Sequence, residues 1–326
     1  MDNTSKKRSI VSLVAMGIII VAVAAIIVKR EWIYDLWRSI GYTPTTEMEQ
    51  IRNDLDLTDR GRFLFNASRP ELSDQEEFND TCRSEEDAEM AVLGCYTEKT
   101  IYVYDINDEE LKGIRELTTA HELLHAVWAR MSDDEKDELD SELKQVLKDN
   151  PELSDETDNY ASDEQREELY VRAGTEVKNL PAKLEKHYAE VFKEQDKIVD
   201  YYNSYIKVFR QLEDEMDAIM QEMESIETEI NQKTEEYKAR FTQLNVEIAK
   251  FNSCAETAGC FSNQWQFNMR RGELIAEQQA LENLYDEIDQ LIEKYNDDVE
   301  KYNNDVLHSN RLMKIVNSNE TIEEIR

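Results

Sequence analysis

Glycine and proline are scarce, at 8 and 4 of 326 residues. A chain so poor in breakers favours long helices with few interruptions. Positive charge is also short. Lys and Arg total 38 against 72 Asp and Glu, a net charge of −34. That balance argues against a nucleic-acid partner, because binding phosphate needs a positive field. It fits a soluble, self-repelling surface. Histidines number four and cysteines four. The length leaves room for one or two domains.

One long apolar run is present. From Ile10 to Val28 the sequence IVSLVAMGIIIVAVAAIIV carries no charge. It is long enough to cross a bilayer as a helix. The alternative is a cleaved signal peptide. Ala22-Val23-Ala24 has the small-x-small form of a cleavage site, but it lies inside the run. We expect an uncleaved transmembrane helix over residues 10–28, preceded by a cytoplasmic N-terminus, residues 1–9. The flanking charges (Lys6, Lys7 and Arg8 before, Lys29 and Arg30 after) barely decide orientation. The cysteines decide it. Cys82 pairs most naturally with Cys95, and Cys254 with Cys260. Disulfides persist outside the cytosol; the alternative is four reduced thiols in a cytosolic domain. The expectation is a single-pass cell-membrane protein with its C-terminal bulk extracytoplasmic. Trp32, Tyr34 and Trp37, just after the run, suit the aromatic belt of an outer membrane interface.

Residues 29–58 read as a juxtamembrane connector, broken near Gly41 and Pro44. In GRFLFNASRPELSD, Phe63, Leu64 and Phe65 form a short apolar core before turn residues, which reads as a strand or turn. TIYVYDI, residues 100–106, is β-branched and aromatic, a strand. A helix is expected from about Leu111 to Met131. Ser132 with Glu135 three residues on makes a capping box for the next helix, which ends near Pro151. After a polar loop, a further helix holds REELYVRAGTEV.

Beyond Pro181 the character changes. Phe209, Met216, Met223, Ile230, Tyr237, Leu244 and Phe251 recur every seven residues. Leu212, Ile219 and Ile226 fill the second apolar position, and Phe241 and Ile248 continue it after a one-residue shift. A second heptad run extends from Leu281 to Val306. These are the stripes of coiled coils. Between the runs, NSCAETAGCFSNQW reads as a turn clipped by Cys254 and Cys260. An antiparallel helical hairpin is the simplest arrangement; a coil pairing with a partner chain or a second copy is the alternative. The expected fold class is therefore mainly α, with an α+β part. It comprises the transmembrane helix, a metal-binding domain over 59–180, a coiled-coil hairpin over 181–310 and a tail over 311–326.

The chemistry is concentrated in TTAHELLHAVW, residues 118–128. His121 and His125 lie four residues apart and so share one helix face. Both imidazoles can reach one metal ion, and zinc accepts histidine nitrogen. Glu122 sits where it can take a proton from a water at such a site. The run from Thr118 to Ala129 is otherwise uncharged in a chain that is one-third charged. That marks a buried helix, where two histidines without a partner would be costly.

TTAHELLHAV resembles the active-site helix of the zincin (HExxH) metallopeptidases, and TIYVYDI resembles the substrate-lining edge strand that precedes it there. The match covers about ten residues and that strand. It implies one catalytic Zn2+, with His121 and His125 as ligands and Glu122 as general base. No histidine follows before His187, so the gluzincin-like form, with a glutamate as third ligand, is favoured over the metzincin form. Glu168 is the expected ligand, with Glu167 and Glu176 as runners-up. Members of that branch add a Tyr or His that steadies the oxyanion; Tyr160 and Tyr170 are the candidates, with ordinary packing the plainer reading of each. His187 and His308 belong to no motif and are expected at the surface.

The expected function is membrane-anchored, zinc-dependent hydrolysis of peptide bonds. The strand around Tyr102 and Val103 would pair with an extended peptide or protein substrate. The alternative is a coiled-coil scaffold or adhesion protein of the cell envelope whose zincin-like domain is inactive. The intact Glu122 speaks against it, because a structural site needs no base.

Overall fold

The computed structural model describes residues 30–82, 93–153 and 162–318. Among these lie ten helices and three strands. In chain order they are α1 (Arg30–Ile40), α2 (Thr46–Asp54), α3 (Asp59–Ser68), β1 (Glu71–Ser73), α4 (Gln75–Cys82), β2 (Gly94–Thr97), β3 (Thr100–Tyr104), α5 (Ile114–Trp128), α6 (Asp133–Asp149), α7 (Ser162–Glu176), α8 (Ala182–Tyr188), α9 (Gln195–Ala255) and α10 (Gln264–Val316). The chain divides into two compact units. One is residues 1–208 with 313–326, the other residues 209–312.

The expected fold class needs correction. The described chain is mainly helical with one small three-stranded sheet. Among the described residues no helix is long and apolar enough to cross a membrane. The run from Ile10 to Val28 lies outside the described residues. The expected connector is also no connector. Met48, Ile51, Leu55 and Leu57 are buried in the core of the first unit.

GRFLF is helical, part of α3, where a strand or turn was expected. The Thr58 hydroxyl accepts from the Gly61 amide at 3.0 Å and starts the helix. Burial then falls at Gly61, Leu64, Phe65 and Ser68, three and four residues apart as on one helix face, with Ala67 buried beside them. The capping box of Ser132 and Glu135 forms as expected. The α5 helix is shorter than expected. Gly113, at φ 98°, turns the chain into its first residue, a backbone conformation that suits glycine.

The sheet order is β1-β3-β2, with β1 parallel and β2 antiparallel to β3. TIYVY is thus the central strand, and β2 is an edge. Ile101 and Val103 of β3 face the core, where they meet the apolar side of α5: Ala120, Leu123, Leu124, Ala126 and Val127. The uncharged run of the sequence is this buried side.

The α1 helix is joined to this core by charge. Asp35 and Arg38 are buried on it. Arg38 donates to the Ala67 carbonyl at 2.7 Å and to the Lys99 carbonyl and Thr100 hydroxyl at 2.9 Å. Asp35 takes a two-pronged pair from Arg130, just past α5, at 2.8 and 3.0 Å. Arg130 also donates to the Tyr96 hydroxyl of β2 and the Ala126 carbonyl of α5.

In the second unit α9 and α10 run antiparallel. Their ion pairs follow in opposite order: Glu222–Lys294, Lys233–Glu287, Arg240–Glu277 and Glu247–Arg270. Leu244, Leu274 and Leu281 are buried between them, with Tyr237, Ile248 and Phe251 beside them. The one-residue shift expected in α9 holds in part: Ile248 packs beside the buried leucines, while Phe241 is exposed. Lys233, Arg240 and Glu247, at the unshifted heptad positions, pair across to α10. The connection carries the Cys254–Cys260 disulfide, and Cys82–Cys95 joins α4 to β2.

Asp35→Ala strands the buried Arg130 guanidinium and should destabilise the first unit by about 3 kcal/mol. Denaturant unfolding checks this, and the Asp35→Ala/Arg130→Met double variant should recover much of the loss.

Candidate metal centre

Two helices build the site. Positions 121 and 125 present their imidazoles on one face of α5, with ring centroids 5.1 Å apart. The α7 helix crosses that face and brings Glu168 to both rings. His121 Nε2 lies 3.7 Å from Glu168 Oε1, and His125 Nε2 lies 3.5 Å from Glu168 Oε2. Gly174 permits the approach. A Cβ there would sit 2.5 Å from Leu124 Cδ1 and 2.7 Å from a Tyr188 ring carbon. One ligand atom from each of His121, His125 and Glu168 lies within 4.8 Å of the others. These three residues can hold a metal ion.

Two imidazole nitrogens and a carboxylate are donors that divalent metal ions accept. Tetrahedral ligands at about 2.0–2.1 Å from the ion stand about 3.4 Å apart, close to the two Glu168 distances. The surroundings also fit. His125 Nδ1 is 2.8 Å from Glu167 Oε1, which fixes the ring and leaves Nε2 directed at Glu168. Such a carboxylate behind a ligating histidine orients it and raises its basicity. Arg172 donates to Glu168 Oε1 at 2.7 Å and pairs with Glu176 at 3.3 Å.

The charges are strongly coupled. Burial pushes the Glu168 carboxyl up, but His121, His125 and Arg172 outweigh it and hold the group well below the usual carboxylate range. Burial pushes His121 down to about 4, against the pull of Glu168. It is therefore neutral at pH 7, as a ligand must be. For His125 burial lowers the value, yet hydrogen bonds to Glu167 and Glu168 override it and raise the ring to about 10. Burial raises Glu122 to about 7.

Glu122 lies against β2. A Cβ on Gly94 would fall 2.7 Å from Glu122 Cγ, 2.8 Å from its Oε1 and 2.6 Å from the Thr118 methyl. The edge strand passes the carboxylate with only hydrogen between them. Nothing in the sequence marks Gly94 for this role.

The remaining candidates fall elsewhere. Glu167 orients His125, and Glu176 pairs with Arg172, so neither belongs to the metal-binding group. Tyr170 is fully buried, with its hydroxyl 2.9 Å from His187 Nε2 and its ring 4.9 Å from that of Trp128. Two residues on from Glu168 it points about 200° around the helix, into the core. The plainer reading, packing, holds for it. His187 is partly buried by the same contact, not at the surface. Tyr160 lies outside the described residues. Sequence reasoning missed Arg172, although its position four residues after Glu168 is a helical ion-pair spacing.

No protein-family model matches the chain, and no curated protein or solved structure matches it either.

In the metal-free protein His125 carries a proton at pH 7. Metal uptake should release about one proton per ion, and apparent affinity should rise with pH up to about 10, where His125 deprotonates by itself. Titration calorimetry in buffers of different ionisation heat measures the release. Glu167→Ala should lower the proton release and, once this is accounted for, weaken metal binding by about 10- to 100-fold.

Proposed function

We propose that this chain is a zinc-dependent peptidase whose ion is held by His121, His125 and Glu168. The observation that carries the reading is the convergence of those three side chains beside the buried Glu122. A zinc ion so held would supply Lewis acidity, making water acidic at neutral pH and polarising the scissile carbonyl.

The chain's own residues supply the rest. Glu122, raised to about 7 by burial, is matched to proton transfer near neutral pH. It takes a proton from the attacking water as the C–O bond forms. It returns that proton to the amide nitrogen as the C–N bond breaks. Arg172 and Glu167 hold Glu168 and His125 in place while charge moves.

The substrate strand is reassigned. Tyr102 and Val103 lie in the central strand, whose two sides are already paired. The edge beside Glu122 is β2, which among the described strands pairs only with β3. An extended peptide adding to β2 would bring its backbone past Gly94 to the carboxylate. The two disulfides support an oxidising, extracytoplasmic location. The scaffold reading, in which the long helices bind a partner and the metal unit is inert, leaves the buried Glu122 unexplained.

Glu122→Gln should leave zinc binding intact and lower peptide hydrolysis by about 10²- to 10⁴-fold. Titration calorimetry measures the zinc binding, and mass-spectrometric analysis of a diverse peptide library, with a chelated control, measures the hydrolysis. Undiminished cleavage by the variant removes Glu122 from the mechanism. No cleavage by the zinc-loaded wild type turns the reading to the scaffold.

A further inference from the structure

The α1 helix is amphipathic with its faces reversed. Its inward side carries Asp35 and Arg38, both buried and hydrogen-bonded. Its outward side carries Trp32, Ile33, Tyr34, Trp37 and Ile40. Trp37 is 65 % exposed and Ile40 77 %. A water-facing helix does the opposite. An exposed apolar face backed by buried ion pairs marks a surface that meets something other than water.

Three observations identify what it meets. The face is ringed by cations in a chain of net charge −34. The Arg69 guanidinium lies 5.5 Å from the Trp37 ring centre and the Lys99 ammonium 5.0 Å from that of Tyr34. Arg30 is exposed at the start of the helix. Against these three stands Glu31, itself paired with Arg30 and Lys99. Second, the face is rich in Trp and Tyr, the side chains that settle at the boundary of lipid and water. Third, the uncharged run from Ile10 to Val28 ends two residues before α1.

We propose that the outward face of α1 docks on an anionic phospholipid surface. Aromatic and aliphatic side chains enter the headgroup boundary, and Arg30, Arg69 and Lys99 meet lipid phosphates. A second copy of the chain is disfavoured by the mutual repulsion of two strongly acidic molecules. The Asp35–Arg130 pair and the Arg38 bonds carry the consequence inward. They tie α1 to α5, to Tyr96 of β2 and to the β2–β3 turn. A docked α1 therefore holds β2 and the metal-binding helix at the lipid surface.

The test is independent of catalysis. The full chain is placed in vesicles of phosphatidylcholine and phosphatidylglycerol, brominated high on the acyl chains, and tryptophan emission is recorded. The four tryptophans are Trp32, Trp37, buried Trp128 and Trp265 of the second unit. Bromine should quench about half of the emission, the share of an interfacial Trp32 and Trp37. The loss should vanish in Trp32→Phe/Trp37→Phe and persist in Trp265→Phe. All three replaced tryptophans are exposed, and circular dichroism checks that helix content is unchanged. Quenching that survives the double replacement overturns the proposal. So does emission from Trp32 and Trp37 that is already shielded from iodide without lipid and varies with protein concentration, the mark of a second copy.

Discussion

Glu168 is a carboxylate removed from water, and the first unit is arranged around the cost of keeping it there. An isolated buried carboxylate takes up a proton or drives the fold apart. Here protonated His125 and Arg172 lie against it and keep it ionised. Each compensating group is held in turn. Glu167 fixes His125, Glu176 shares Arg172, and the uncharged side of α5 packs on the sheet so that both rings stay on one face. The close approach of α5 and α7 at Gly174 sets the spacing of the three ligand atoms. Without a metal the cluster is an unusual expense of buried charge. With a divalent cation it becomes a balanced set of donors, which is why the arrangement supports a metal centre better than a purely structural salt-bridge network.

The same unit uses buried charge a second time, for attachment. Arg130 lies where α1, α5 and β2 meet and bonds to all three. Asp35 and Arg38 allow α1 to turn its apolar side outward without leaving charge unsatisfied inside. The strand edge proposed for substrate and the face proposed for lipid are thus linked through a few short bonds. The second unit follows a different rule. Its antiparallel helices bury a leucine seam and place ion pairs at heptad positions, where exposed pairs add register more than stability.

The legible part of the site was local. His121, Glu122 and His125 are set by helix periodicity alone, and the neutral stretch around them announced burial. Glu168 followed from the helix REELYVRAGTEV and the need for one carboxylate. What failed depended on tertiary order. The sequence of β3 says strand but not which strand neighbours it, so the edge was assigned to Tyr102 and Val103 when β2 holds it. GRFLF is apolar enough for a strand, and only the Thr58 cap and the burial spacing decide for helix. In α9 the apolar count reaches Ile248, which packs beside the leucine seam, but not Phe241, which stays exposed while Lys233, Arg240 and Glu247 pair with opposite charges on α10. Glu167 looked like a rival ligand because sequence cannot tell Nδ1 from Nε2 contacts.

The most direct test of the metal centre is X-ray absorption at the zinc edge on protein loaded with one equivalent of zinc. Two imidazole nitrogens and carboxylate oxygen at about 2.0–2.1 Å are expected, with no sulfur, since all four cysteines are in disulfides. A sulfur shell near 2.3 Å, or a spectrum of hydrated zinc with no imidazole scattering, would contradict it.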